Sequence, residues 1–471
     1  MINLFIENKI IDQIKHTPTQ DQQNAICDLA KFADSNNKTK IFILTGFAGT
    51  GKTTVISALV NALYEENINC VLLAPTGRAA KVFSNTSLLP AYTIHKKIYK
   101  PEVRKNGTVR FFLTKCTYKN TIFIIDEASM IADKTDKNSI FGSGNLLEDL
   151  IEFVFQKEGN KIIFTGDTAQ LPAVGFDNSA ALEPLTFARF NLDVATAQLK
   201  EIVRQANDSG IVFNANIIRT NIEKQRLFEY PKLQLNNFQD IEQITGNQLI
   251  EYINNAYEND GIDNSIVITY SNQRANKYNE GIRRTILHKE SKIDRKDYVM
   301  IVRNNYLWKD EDQIIDFIAN GDIGIIKHLY NYEEYNGFNF VDAKIDMLDY
   351  GCVIKAKLLL NTIDANTPTI TEEESRALYD YFVSPYKEIK KPKQRYQEIL
   401  NDPYINSLQI KFSYAITCHK AQGGQWKNVF VDQSFLKPEM ITLDYLRWLY
   451  TAFTRAKSKL FLVNFNKEFF E

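Results

Sequence analysis

The stretch Ile41-Phe42-Ile43-Leu44-Thr45-Gly46-Phe47-Ala48-Gly49-Thr50-Gly51-Lys52-Thr53 decides how this chain folds. Its apolar start predicts a buried strand, and Gly46–Thr53 fits G-x-x-x-x-G-K-[ST]. Thr54-Val55-Ile56-Ser57-Ala58-Leu59-Val60 then predicts a helix. Strand, glycine-rich turn and helix together make a phosphate cradle. Backbone N–H groups of the turn close around phosphate oxygens, and the helix N-terminus adds partial positive charge. Contacts to ATP are expected from Gly46, Ala48, Gly49, Thr50, Gly51, Lys52, Thr53 and Thr54. Lys52 would reach the β- and γ-phosphates, and Thr53 would hold Mg²⁺.

Outward from this loop, three further apolar runs end in polar turns. Cys70-Val71-Leu72-Leu73-Ala74 leads into Pro75-Thr76-Gly77-Arg78. Thr121-Ile122-Phe123-Ile124-Ile125 ends in Asp126-Glu127, where an aspartate would hold Mg²⁺ and a glutamate would polarise the attacking water. Lys161-Ile162-Ile163-Phe164-Thr165 ends in Gly166-Asp167 and carries Gln170 close behind. Ligands sit at the carboxyl ends of parallel strands, so these turns are expected to face one site. Upstream, Thr19 is a candidate helix cap, and the amide of Gln22 could read an adenine edge or simply start a polar helix.

Residues 96–120 hold eight Lys or Arg against one acid, Glu102. Asn106-Gly107 between two β-like runs predicts a hairpin. Its charge with Tyr99, Phe111 and Phe112 suits phosphate contact and base stacking, or an ordinary hairpin whose aromatics pack inward. Residues 330–407 change texture, with an Asn- and Tyr-rich start and a basic cluster at Lys387, Lys390, Lys391, Lys393 and Arg395. They read as an inserted module with a small β core. Strong patterning returns in Tyr414–Trp426, in Val429-Phe430-Val431-Asp432 and in Leu446–Ala456.

The bulk numbers exclude several classes. The 471 residues suffice for two to four domains, and 44% hydrophobic with 24% charged content is that of a globular protein. No apolar run approaches the ~18 residues of a membrane span. The start lacks a secretory signal, and five scattered cysteines make no C-x-x-C. A cytoplasmic protein is expected. With a net charge of −1, any nucleic-acid surface must be a local patch.

Taken in order, these segments resemble superfamily 1 helicases, and most closely the 5′-to-3′ branch of RecD-like and phage Dda-like enzymes. The resemblance covers about residues 17–330 and 408–465. It implies an α/β protein of two RecA-like domains with parallel sheets. Domain 1 spans 1–190 with a duplex-splitting pin at about 96–120. Domain 2 spans 191–329 plus 408–471, and 330–407 is an inserted SH3-like module. It also implies roles. Gln22 reads adenine, Gln170 senses the γ-phosphate, and Lys52, Glu127, Gln170, Arg204 and Arg455 are catalytic, the last two being arginines offered by domain 2. Thr53 and Asp126 hold Mg²⁺. Pro75, Thr76, Thr93, His95, Phe111, Phe112, Thr417 and His419 face DNA, and Asn320-Gly321-Asp322-Ile323-Gly324 matches a turn of this branch.

The expected function is an ATP-dependent DNA helicase that moves 5′ to 3′ on single-stranded DNA and unwinds a duplex fork. It would serve replication, recombination or repair, as a monomer that meets replication or recombination proteins. Rival readings are a translocase that strips proteins from DNA, a partner-regulated P-loop ATPase, and an RNA helicase.

Overall fold

Four apolar runs become four neighbouring parallel strands. The computed structural model describes residues 2–34, 38–103, 109–136, 139–203, 208–305, 318–348 and 350–470. In the first half lie α1 (Ile2–Asp12), α2 (Gln20–Ala33), β1 (Ile41–Gly46), α3 (Lys52–Glu65), β2 (Cys70–Ala74), α4 (Gly77–Thr86), β3 (Ala91–Thr93) and α5 (Ile94–Ile98). They are followed by β4 (Tyr99–Val103), β5 (Val109–Leu113), β6 (Ile122–Ile125), α6 (Leu146–Phe155), β7 (Lys161–Gly166) and β8 (Val194–Leu199). The sheet order is β3-β2-β6-β7-β1-β8. Its central registers pair apolar residues on both faces, Ile43 opposite Phe164 on one and Leu72 opposite Ile124 on the other. A sheet covered by helices on both sides needs such unbroken apolar runs rather than alternation. As a consequence, the P-loop, Asp126-Glu127 and the Asp167 turn all leave the same edge of the sheet.

The second half begins with α7 (Gly210–Glu223), β9 (Ile241–Ile244), α8 (Leu249–Asp260), β10 (Ser265–Thr269) and α9 (Asn272–Gly281). Next come β11 (Tyr298–Ile301), β12 (Ile323–Tyr335), β13 (Phe338–Met347), β14 (Cys352–Leu359), α10 (Glu372–Val383) and α11 (Pro392–Asn401). The chain ends through β15 (Leu408–Phe412), β16 (Ala415–Thr417), α12 (Cys418–Ala421), β17 (Trp426–Asp432), α13 (Leu443–Phe453) and β18 (Ala456–Val463). A second parallel sheet has the order β16-β10-β17-β18-β9. The fold is therefore two RecA-like domains. No described helix is long and apolar enough to cross a membrane.

Two boundaries differ from expectation. The first sheet extends to Leu199, because β8 pairs with β1 over Ile41–Gly46, so domain 1 does not end at 190. The inserted module is not 330–407 alone. β11 to β15 form a closed barrel, with Val299 opposite Phe412 and Met300 opposite Ile323. Its closing strands come from segments assigned by sequence to domain 2. α10 and α11 lie outside the barrel, and α10 packs Leu378 on a small core with Phe338, Phe340, Leu359 and Ile370.

The hairpin is present as β4 and β5, with Tyr99 opposite Leu113. Its tip, including Lys105-Asn106-Gly107, lies outside the described residues. Its base is clamped. The Phe111 N–H donates to Ile140 O at 2.8 Å, and the Gly142 N–H donates back to Phe111 O at 2.8 Å.

Candidate active site

The P-loop is shaped by contacts that leave little room. Gly49 and Gly51 have φ of 79° and 76°, a region glycine enters without cost. A Cβ on Gly51 would overlap Gln22 Nε2, and one on Gly46 would lie 2.9 Å from Thr50 Oγ1. Thr50 is fully buried and donates to Phe47 O at 2.8 Å. Lys52 Nζ rests on Gly46 O at 3.2 Å, while Thr53 and Thr54 stand exposed at the start of α3. Gln22 sits beneath the loop. Its Nε2 donates to Thr50 O at 2.9 Å and its Oε1 accepts from the Thr19 N–H at 3.0 Å. It is fully buried, so here it braces the loop instead of presenting an edge to adenine.

Acidic groups from two strand ends converge on Lys52. Burial and the neighbouring Glu127 push the Asp126 carboxyl up, and the Lys52 charge pulls it back. Burial likewise raises Asp167, again against Lys52. Glu127 has φ of 53°, an uncommon conformation for a non-glycine residue. Its Oε2 and the Oε1 of Gln170 are buried and have no hydrogen-bond partner among the described residues. Unspent buried acceptors are costly unless something else completes them. This donor set suits a nucleotide with Mg²⁺, an ion usually held by one or two protein groups plus phosphates and water. Asp126 and Thr53 are the groups that would supply the protein ligands.

Domain 2 reaches this site through α13. Tyr450 donates to Asp167 Oδ2 at 2.6 Å and accepts from the P-loop Ala48 N–H at 2.9 Å. The Leu171 N–H donates to Thr451 Oγ1 at 2.9 Å, and Gln422 Nε2 donates to Leu171 O at 2.6 Å. Arg455, expected across the cleft, is 3% exposed and bonds within domain 2 to Thr451 O at 3.1 Å and Gly424 O at 3.2 Å. The structure thus brings Tyr450, not Arg455, against the P-loop. Arg204 lies outside the described residues.

The candidate DNA-facing residues divide. Thr76 caps α4 by accepting from the Ala79 N–H at 3.2 Å, with Pro75 just before it. There the start of α4 meets domain 2. The Arg78 guanidinium lies 4.0 Å from the Trp426 ring centroid, and a Cβ on Gly423 would lie 3.0 Å from Ala79 Cβ. A Cβ on Gly77 would lie 2.9 Å from Asp322 Oδ1, in the Asn320–Gly324 turn. Lys81 Nζ donates to Leu348 O of the barrel at 2.8 Å. His419 is exposed, and Thr417, two residues before it, is half-buried.

Three DNA-facing assignments are corrected. Phe111 is 5% exposed, with its ring centroid 4.7 Å from that of Phe141. It anchors the hairpin, and only Phe112, 37% exposed, points outward. Strand alternation requires this split between adjacent residues. Thr93 is buried and caps α5 through the Lys96 N–H. His95 packs against Phe141 at 4.9 Å, and burial lowers its pKa to about 4 against the opposing pull of Asp149. It is neutral near pH 7 and adds no charge for a phosphate.

Comparison with known proteins fits this arrangement. Residues 17–230 match the family described as an AAA domain, and residues 412–463 match the UvrD-like helicase C-terminal domain. An uncharacterised protein of Acanthamoeba polyphaga mimivirus is 26% identical over 93% of this chain and 98% of its own length. The RecBCD enzyme subunit RecD of Buchnera aphidicola is 24% identical over 89% of this chain and 69% of its own. These matches support a RecD-like superfamily 1 helicase. The fold agrees. The Bacteroides Pif1 helicase, crystallised with ADP-AlF3 and single-stranded DNA, superposes with a TM-score of 0.50 at 17% identity, covering 97% of this chain and 95% of that one. These likenesses support ATP hydrolysis, and nucleotide use is part of the chain's chemistry.

Sequence reasoning assigned no role to Asp167, Tyr450, Thr451 or Gln422. Each lies inside a motif it quoted. The missing signal was the partner, since a phenol seven-tenths of the way along a helix says nothing of which loop in another domain it will meet.

Proposed function

We propose that this chain uses ATP and Mg²⁺ in the interdomain cleft to move 5′ to 3′ along single-stranded DNA and to open duplex at the β4–β5 hairpin. The observation that carries this reading is the hydrogen-bonded chain from the P-loop Ala48 N–H through Tyr450 to Asp167. It joins the phosphate loop and the Gln170 turn of domain 1 to α13 of domain 2, which ends two residues before Arg455. A change at the phosphates is thereby felt by both halves.

When bound, Mg²⁺ neutralises charge on the phosphates. Lys52 holds the terminal phosphates, Glu127 takes a proton from the attacking water, and Gln170 orients that water or the γ-phosphate. Arg204 and Arg455 add positive charge from domain 2 as the cleft closes, because a charge-assisted partner is gained only then. Closure alters the fit between Pro75–Arg78 on one side and Thr417–Gly424 on the other, which are the two grips on the strand. Both halves of the motor come from one chain, so it works as a monomer.

The hairpin gives the test of unwinding. A variant with Lys105–Gly107 shortened and Phe112→Ala leaves the Phe111 clamp in place. Its DNA-stimulated ATP hydrolysis is expected within about twofold of the parent, while unwinding of a forked duplex falls at least about tenfold, by loss of a stacking platform and its charge. Unwinding at the parent rate would show that the hairpin is scaffold only.

A further inference from the structure

The tip of the P-loop is packed into the wrong domain. Phe47 is 8% exposed and belongs to the apolar cluster of domain 2, with Ile211, Ala215 and Ile218 of α7. Above its ring, with the guanidinium carbon 4.2 Å from the centroid, lies Arg219 of α7. The Nε of Arg219 is buried and has no hydrogen-bond partner among the described residues. Its Nη1 reaches Glu223, one turn along α7, at 3.5 Å. Arg219 also lines one small cavity together with Phe47, Ala48, Asn216 and Tyr450. Its charge acts on the Tyr450 phenol, the same hydroxyl that accepts from Ala48.

A solvated surface arginine would not sit this way. Burying a guanidinium nitrogen without a partner costs free energy that ring stacking only partly offsets. The motifs of this chain do not account for it either, since the two arginines they single out are Arg204 and Arg455. What the position offers is leverage. The residue next to Phe47 gives its N–H to Tyr450, and the turn then runs through Gly49 to Lys52.

We propose that Arg219 is a positioning residue for ATP hydrolysis, stacking on Phe47 to fix the tip of the P-loop against domain 2. Closure of the cleft then carries the loop into register with Asp126, Glu127 and Gln170. A guanidinium suits this task because it is planar and stacks while keeping directed donors; an ammonium does neither. The inference rests on the motor reading of the cleft.

The test is a cycle on the full chain, reading kcat and KM for ATP with saturating single-stranded DNA. Arg219→Ala is expected to lower kcat about tenfold with KM within about twofold, a size typical of a desolvated cation–ring contact. Arg219→Lys should recover little of that loss. Phe47→Leu should lower kcat similarly, and adding Arg219→Ala to it should change kcat by less than about twofold, because the second change acts through a ring already gone. Arg219→Lys and Phe47→Leu remove less bulk than truncation to alanine and carry the test if Arg219→Ala fails to fold. The proposal is overturned by parent-like kcat in the Arg219 variants, by a rise in KM alone, or by losses that multiply in the double variant. A parent protein with no DNA-stimulated hydrolysis would instead refute the motor reading.

Discussion

Lys52→Ala should remove at least about 10³-fold of ATP turnover and leave the fold in place. The size follows from what a fixed cation does in a water-poor site, where a single preorganised donor is worth roughly 10²- to 10³-fold and a full charge more. The structure shows why Lys52 is that cation. It stands at the first position of α3, and its charge opposes the burial that raises the pKa of both Asp126 and Asp167. The fold should survive, because the ammonium makes one weak bond to Gly46 O and the side chain is only partly buried. Steady-state hydrolysis with a thermal melt measures both halves of the expectation. Turnover within tenfold of the parent, in protein that melts normally, would remove Lys52 from the chemistry.

Glu127→Gln should cost about 10²- to 10⁴-fold in turnover, the range for a positioned proton acceptor. The amide keeps the shape of the side chain but cannot take the proton. Glu127 is held at positive φ, a conformation that costs of order 1–3 kcal/mol and tends to persist where surrounding structure imposes it. It also presents a buried oxygen with no protein partner among the described residues, where a water nucleophile would find it. Binding of ATP should change little, since the phosphates are held by the loop. Fluorescent-nucleotide titration beside a single-turnover assay separates the two. A large loss of affinity with turnover per bound ATP intact would assign Glu127 to binding.

These groups were visible early for a physical reason. The P-loop, Asp126-Glu127 and the Gln170 turn follow buried parallel strands, and such strands write themselves as continuous apolar runs. Features that depend on distant partners were not visible. The barrel is closed by Val299 against Phe412, two short strands far apart in sequence, and neither carries a sign of its mate. β8, Val-Ala-Thr-Ala-Gln-Leu, is an edge strand with small and polar residues, so its sequence reads as the start of the next domain. Phe111 and Phe112 were treated alike although neighbours on a strand must face opposite ways. Tyr450 and Arg219 stood in helices with plain local readings, and only the meeting of two domains gives them work.

The central claim is directional unwinding of DNA powered by this cleft. It is tested most directly by ATP-dependent unwinding of two duplexes that differ only in carrying a 5′ or a 3′ single-stranded tail. Unwinding of the 5′-tailed duplex and not the 3′-tailed one is the predicted result. A 3′ preference, or hydrolysis stimulated by DNA with neither duplex opened, would contradict it.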